Sequence, residues 1–465
     1  MGALRLLLRW GWAFFSPASC QRGCSGGFTA AIQLEAPEQS LMKGTFRSLQ
    51  GFNYRLWAGG AIVSNIGTWM QRVAQDWLVL TQLTHRNATA VGIVMGLQFG
   101  PQLLLLPLTG FAADHLDRRK LLIATQAAMG LLALVLGVLT ITGVVQLWHV
   151  YVFAFLLGCV SAIDAPARQT FVTELVDEAH LSNAVALNST SFNVARMIGP
   201  AIAGVLIAGV GCGWVFLINA VSFAAVLCSL ALLRVDELHT TERAHATRGS
   251  LAEGFRYVWQ RPDLKATFLM LFLICTFGVN FPIFIATMSV SVFHAGASQY
   301  GLLSSVAALG SIAGALLSAT REKPHVTLLF SSAAVFGFGL ALAAIMPNVG
   351  LFSLALVVIG LAGQTFSTTS LATVQVSTEP AMRGRVMAIL LALALGGTPI
   401  GAPIVGWVAD TFGPRWALAL GAASGFAAAL VGLRYLMKHR GLRVHIDARR
   451  MQLRFDEQYP VDEAP

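Results

Sequence analysis

The sequence predicts an all-α membrane protein: twelve transmembrane helices in two six-helix pseudo-repeats. Three observations predict it. Only 11% of the 465 residues are charged and 56% are hydrophobic, which is too little polarity to cover a soluble surface. The chain also divides into twelve apolar runs, each long enough to cross about 30 Å of hydrocarbon as a helix of roughly 20 residues. Finally, Gly199, Ile202, Gly204, Gly211, Trp214 and Ser222 recur as Gly401, Ile404, Gly406, Gly413, Trp416 and Ser424, all displaced by 202 residues. A parallel repeat of this kind places a substrate path between two halves that rock against each other.

The runs lie near 56–80, 90–112, 120–143, 148–168, 183–208, 213–233, 265–290, 299–319, 326–346, 350–373, 385–408 and 415–436. They give an N-terminal half over 55–234, a linker over 235–264, a C-terminal half over 265–436 and a tail over 437–465. Residues 1–54 form a cytoplasmic N-terminal extension. Within it Arg5, Arg9 and the apolar Trp10 to Phe15 imitate a signal peptide whose core is too short. Residues 1–41 read either as a disordered extension or as a misplaced start, because Met42 with Lys43 and Arg47 makes an ordinary cytoplasmic beginning.

The net charge of +9 resides in the connections. Alternate loops carry Arg118, Arg119 and Lys120, then Arg168, the linker cations, Arg321 with Lys323, and Arg383 with Arg385; the opposite loops have Arg86, Arg415 and little else. The positive-inside rule therefore places both termini in the cytoplasm. The charged hairpin Gly110 to Lys120 lies on that face, and Gly110, Asp114, Asp117, Arg118 and Arg119 are its candidate gating residues. In the linker, Ser250 and Glu253 have capping-box spacing, and Phe255, Val258 and Trp259 alternate with cations. That pattern describes a short helix on the headgroup surface.

Ionisable residues inside spans cost about 2.5 to 3.5 kcal/mol each on insertion scales, so those retained point to function. On the first run, helical spacing puts Asn65, Thr68, Gln71, Arg72, Gln75 and Asp76 on one face. Arg72 and Asp76 are one turn apart and can pair. The set reads either as a polar cavity wall with Asp76 as a proton or cation site, or as a pair anchored near the outer headgroups. On the fifth run, Arg196, Gly199, Pro200 and Gly204 combine a cation needing an acceptor, Asn193 or Asp164 by depth, with small residues and a proline that let helices approach and flex. Asp164, Pro166 and Arg168 end the fourth run and form either a latch with the hairpin or a snorkelling cation. The second half shows no interior acid, with Asp410 at an outer end. It offers Asn280 and Pro282 in the seventh run, and in the tenth a cluster including Gln364 and Thr368, which either lines the path or bonds back to its own helix.

Several function classes fall away. No phosphate-binding G-x-x-x-x-G-K-[ST] is present, which argues against an ATP-driven pump, and no His/Glu cluster or Ser/His/Asp set points to metal or hydrolysis. The four cysteines in apolar runs, Cys159, Cys212, Cys228 and Cys275, read as small core residues. The expectation is a protein without cofactor or metal, not an enzyme and not a nucleic-acid binder.

The hairpin Gly110-x-x-x-Asp114-x-x-Asp117-Arg118-Arg119-Lys120 and the segment Gly199-Pro200-x-x-x-Gly204 resemble the loop motif and the antiporter motif of the major facilitator superfamily. Trp69-Met70-Gln71, Ala74-Gln75-Asp76-Trp77-Leu78, Asp164-Ala165-Pro166-Ala167-Arg168 and Asn183 to Ser189 resemble its enterobactin exporter and macrolide efflux branch. The resemblance covers roughly 45–436. It implies proton-coupled efflux of a bulky amphipathic small molecule, a drug or siderophore, by a monomer in the bacterial cytoplasmic (inner) membrane. Under it Asp114 and Arg118 lock the cytoplasmic side, Gly199 and Pro200 let the fifth helix flex, and Asp76 exchanges protons beside Arg72. Asn65, Gln71, Gln75, Asn280, Gln364 and Thr368 would line the path. The alternative is uptake or export of a metabolite or lipid by the same fold. Two departures stand out: Asp117 replaces the usual glycine of the loop motif, and the fourth run has Arg168 at its end in place of a buried arginine.

Overall fold

The computed structural model describes residues 46–105, 116–239, 251–320, 326–439, 443–447 and 452–456. Gly110 and Asp114, the extension 1–41, and the linker stretch 240–250 lie outside the described residues.

Helix α1 (Phe52–Trp77) runs on through a wider turn over Leu78–Leu83, and α2 is Ala88–Leu104. Then come α3 (Arg118–Ile141), α4 (Leu147–Phe171), α5 (Glu178–Val210) and α6 (Cys212–Ala231). After the linker helix α7 (Leu251–Gln260) follow α8 (Pro262–Leu273), α9 (Phe281–Thr287), α10 (Ala297–Ala319) and α11 (Val326–Ile345). The last helices are α12 (Val349–Ser377), α13 (Pro380–Phe412) and α14 (Pro414–His439). Ten helical segments among the described residues are long and apolar enough to cross a membrane. The first two expected spans correspond to α1, with its charged face, and to α2, whose described part is 17 residues.

Local chemistry sets the boundaries. Asn87 and Asn348 accept from the backbone of Ala90 and Leu351, both at 2.9 Å, and so cap α2 and α12. Gly211 and Gly413, partners at the 202-residue offset, both take positive φ, 89° and 103°, at the tight turns after α5 and α13. Only glycine adopts that conformation without a steric penalty.

The seventh expected span, 265–290, is not one continuous helix. After α8 the chain widens over Ile274–Gly278, breaks at Val279 and Asn280, and restarts with Pro282 in the first turn of α9. Proline fits a first turn because it has no N–H to donate. The Asn280 side chain donates back to the Thr276 carbonyl at 2.8 Å, filling an acceptor that the break strands. Gly397 and Gly401 of α13 lie directly against the backbone of Cys275 and Thr276, where a Cβ would collide.

Two crossings tie residues 52–231 to residues 262–439. At α5 and α10, Gly204 faces the backbone of Ala297 and Ser298, and Gly301 faces the Pro200 carbonyl. At α2 and α13, Gly92 faces Ala402 and Pro403, and Gly406 faces Ala88 and Thr89. Such close approach of backbones is how small residues bring membrane helices together. One core draws on every helix from α1 to α14. A second forms around Tyr54, Trp57, Phe171 and Leu230, where Trp57 meets Phe171 edge-on at 5.4 Å. The outer surface is apolar, with Val221, Leu354 and Leu430 each at least 64% exposed, as lipid contact requires.

The helix expected in the linker is present as α7. Glu253 pairs with Arg385 at 2.7 Å, which docks α7 on α13, while Phe255 and Trp259 stay exposed. The tail, in contrast, contains an element not expected from the sequence. Residues 443–447 pair antiparallel with 452–456, Arg443 opposite Asp456 and Asp447 opposite Gln452. Alternation of Val444 and Ile446, then of Leu453 and Phe455, is the period-two signal for it.

Candidate functional site

Three polar side chains of α1 reach three different neighbouring helices. Asn65 is buried and accepts from Arg168 at 3.0 Å. Gln71 accepts from Asn219 of α6 through a short hydrogen bond between buried groups. Asp76 is 7% exposed and accepts from the Tyr300 hydroxyl of α10 at 3.4 Å. Trp77 stacks on the same tyrosine, centroids 5.8 Å apart. Gln75 is buried beside them.

The expected Arg72–Asp76 ion pair does not form among the described residues. Arg72 turns the other way, its guanidinium lying 4.8 Å from the Trp69 ring centroid and 5.5 Å from that of Phe99. Two aromatic faces offer a cation a partial substitute for a carboxylate. They leave its Nε buried without a hydrogen-bond acceptor. Arg196 is alike: its Nε is buried without a partner. Neither acceptor expected for it serves, since Asn193 donates to Ser189 of its own helix and Asp164 is taken by other donors.

Those donors saturate the acid and its arginine, while the Gln126 Oε1 stays buried without a hydrogen-bond partner. Thr125 and Gln126 of α3 both donate to Asp164 Oδ1 at 2.7 Å, and Arg168 pairs with Oδ2 at 2.9 Å while also reaching Asn65. The helix does not end at Arg168. It continues to Phe171, and the Arg168 side chain, 16% exposed, is held by Asp164 and Asn65. Arg168 thus stands in the last turn of the fourth helix, partly buried, as the sequence placed it.

Around the hairpin, Asp117 is the N-cap of α3, accepting from the Lys120 backbone at 3.1 Å. Arg118 pairs with Glu174 at 2.6 Å, and Arg119 donates to the Leu230 carbonyl at 2.9 Å and to that of Ala231, at the end of α6. Here Arg118 and Arg119 act within residues 118–231, whereas the expected lock joins the two halves. Cations at the carbonyl end of a helix are favoured by its dipole.

At the other ends of the helices, Asp410 of α13 caps α2. Its two carboxylate oxygens accept from the Ala88 and Thr89 backbones at 2.7 and 2.8 Å, and the Thr89 hydroxyl adds a third bond. Gly199 lies 2.7 Å from Trp69 when a Cβ is built on it, which brings α5 against α1. The Thr368 hydroxyl lies 2.9 Å from both the Gln364 carbonyl and the Ser318 hydroxyl of α10 and donates its one proton to either. Among the described residues no group of three or more His, Cys, Asp or Glu could hold a metal.

Sequence reasoning missed Tyr300, Glu174, Gln126 and the capping role of Asp410. Glu174 and Asp410 had a signal, an acid beside an apolar run facing unpaired donors. Tyr300 had none, because its partner is 224 residues away.

Comparison with known proteins adds a frame to this geometry. The sequence profile of a family described as transmembrane secretion effector matches residues 44–457. A staphyloferrin A transporter of Staphylococcus aureus (strain NCTC 8325 / PS 47) is 28% identical over 353 residues, covering 75% of this chain and 87% of that protein. The multidrug efflux pump Tap of Mycolicibacterium fortuitum is 25% identical, covering 76% and 88%. The enterobactin exporter EntS of Escherichia coli O1:K1 / APEC is 25% identical, covering 77% and 85%. A bacterial homologue of the human lysosomal transporter Spinster, solved inward-facing and unoccupied, superposes with TM-score 0.62 at 15% identity, covering 83% of this chain and 95% of that one. That structural likeness concerns the fold alone.

Proposed function

Because this chain belongs to the transmembrane secretion effector family, a branch of the major facilitator superfamily, we propose that it exports bulky amphipathic small molecules, of drug or siderophore type, in exchange for protons. It is a multi-pass membrane transporter. In our reading its twelve spans form two six-helix halves, 55–234 and 265–436, with both termini in the cytoplasm of a bacterial cell and the protein in the inner membrane.

The observation that carries this reading is the Asp76–Tyr300 contact. A buried carboxylate on α1 takes its hydrogen bond from α10, which lies in the opposite half. A rocking motion that parts α1 from α10 removes that donor, and a bare buried carboxylate is costly. Protonation meets the cost, so the opening of one side and the uptake of a proton become the same event. The crossings Gly204–Gly301 and Gly92–Ala402 supply packed surfaces on which two halves rock, and Asp410 on the α2 terminus closes the side opposite the hairpin. The names of the relatives, a siderophore transporter, a siderophore exporter and a drug pump, support the cargo class.

A susceptibility and accumulation panel tests the direction and the cargo. Cells producing the protein should accumulate less of an amphipathic drug or dye than cells without it and tolerate more. Greater accumulation in producing cells would establish uptake instead.

A further inference from the structure

Two guanidinium groups inside the helical bundle make no ion pair among the described residues, and the helices that carry them meet at Trp69. Trp69 and Gly199 mark where α1 and α5 meet. Arg72 lies three residues beyond that meeting point on α1, and Arg196 three residues before it on α5. At 1.5 Å rise per residue, the two positions are about 9 Å apart along the helices. An arginine side chain reaches about 6 to 7 Å from its Cα, so both can approach a single group between them. The Trp69 ring links them, touching the Arg72 guanidinium at 4.8 Å and the Phe192 ring, one turn before Arg196, at 5.8 Å. Phe99 of α2 closes the far side of Arg72.

The charge balance points the same way. Asp164 is consumed by Thr125, Gln126 and Arg168, and Asp76 takes one long hydrogen bond from Tyr300 and makes no ion pair with either arginine among the described residues. The nearest acids therefore leave both Nε atoms without acceptors. A buried cation with an orphaned donor is strongly disfavoured unless an anion completes it.

We infer that Arg72 and Arg196 form an anion subsite that holds a carboxylate, phenolate or similar oxyanion of an amphipathic cargo, whose apolar body lies on Trp69, Phe99 and Phe192. The inference rests on the efflux reading and narrows its cargo to anions. Guanidinium suits such a site because its planar N–H fork matches a carboxylate and its face stacks on aromatic rings.

The test needs no natural cargo. Pyrenebutyrate and pyrenebutylamine share one apolar body and carry opposite charge. Their binding to the purified full-length chain in detergent is read by energy transfer from tryptophan to pyrene, against a protein-free micelle control. The wild type should bind the carboxylate about tenfold more tightly than the amine, and Arg72→Gln and Arg196→Gln should each remove most of that preference, as expected for a charge-assisted pair. Arg72→Lys and Arg196→Lys should keep a preference for the anion, at lower affinity. A wild type that prefers the amine or binds both equally would overturn the subsite, and this comparison stands even if a glutamine variant does not fold. Glutamine variants that weaken both probes equally would also overturn it, by assigning the arginines to structure. Anion selectivity without proton-driven efflux would retain the subsite and remove the coupling reading.

Discussion

Two charged clusters share helix α1, and they are built in opposite ways. At Asn65 the helix joins Asp164, Arg168, Thr125 and Gln126, where both acid oxygens and the arginine have partners. Four residues past Asp164, the arginine needs nothing further. Two and three turns beyond Asn65, Arg72 faces aromatic rings with an orphaned Nε and Asp76 holds a single long hydrogen bond from another helix. The same residue types thus serve two ends. A saturated cluster fixes the relative positions of α1, α3 and α4, and an unsaturated one remains open to a ligand and a proton.

If that contrast is right, the saturated cluster should be the costlier one to break. Asp164→Ala strands a buried guanidinium and two amide or hydroxyl donors, a loss of about 3 to 5 kcal/mol. Thermal unfolding of the purified protein should register it as a large fall in melting temperature, while Arg72→Gln should leave stability close to wild type or raise it. Equal falls would erase the distinction.

Packing at the crossing of α5 and α10 comes next. Gly301→Leu forces a side chain onto the Pro200 carbonyl, with an overpacking cost of about 1 to 3 kcal/mol. Dye efflux from cells should stop while the protein still reaches the membrane. Efflux at wild-type rate would show that this crossing is not a moving surface.

Smaller effects sharpen the open cluster. Tyr300→Phe removes the one donor to Asp76 among the described residues while keeping the ring stacked on Trp77, a loss of about 0.5 to 1.5 kcal/mol. Efflux should persist with its pH dependence changed, because the carboxylate then has lost its donor from the opposite half. An unchanged pH profile would disconnect the tyrosine from the acid. Asp117→Gly, which restores the residue usual in the loop motif, exchanges one good N-cap for another at a cost of only a few tenths of a kcal/mol. A small change in stability and full efflux are expected, and abolished efflux would mean that Asp117 does more than cap α3.

Much of the fold was legible because lipid imposes simple rules on sequence. Long apolar runs located the helices, and the 202-residue offset reappeared as matching positive-φ glycines at Gly211 and Gly413. Asp117 could be singled out as unusual, but its capping role needed the start of α3, which lies within a few residues of any sequence-based boundary. Partner choice was the illegible part. Spacing of four residues suggested that Arg72 pairs with Asp76, but Arg72 lies over Trp69 of its own helix and Phe99 of α2, and Asp76 takes its hydrogen bond from a hydroxyl on α10. The same four-residue spacing between Asp164 and Arg168 does give an ion pair. Local spacing makes a pair possible, and the surrounding helices decide whether it forms. The interrupted seventh span shows a related limit: Asn280 and Pro282 stood out as polar and rigid in the run, yet the apolar residues around them read as one helix.

The central claim is that the open cluster couples transport to protons through Asp76. It is tested most directly by pH-gradient-driven dye transport in everted membrane vesicles carrying wild type or Asp76→Asn at equal protein levels. The neutral amide keeps the size of the side chain and cannot exchange a proton. The account predicts that imposing the gradient accelerates transport by the wild type and has no effect on the variant; acceleration of both to the same extent would contradict it.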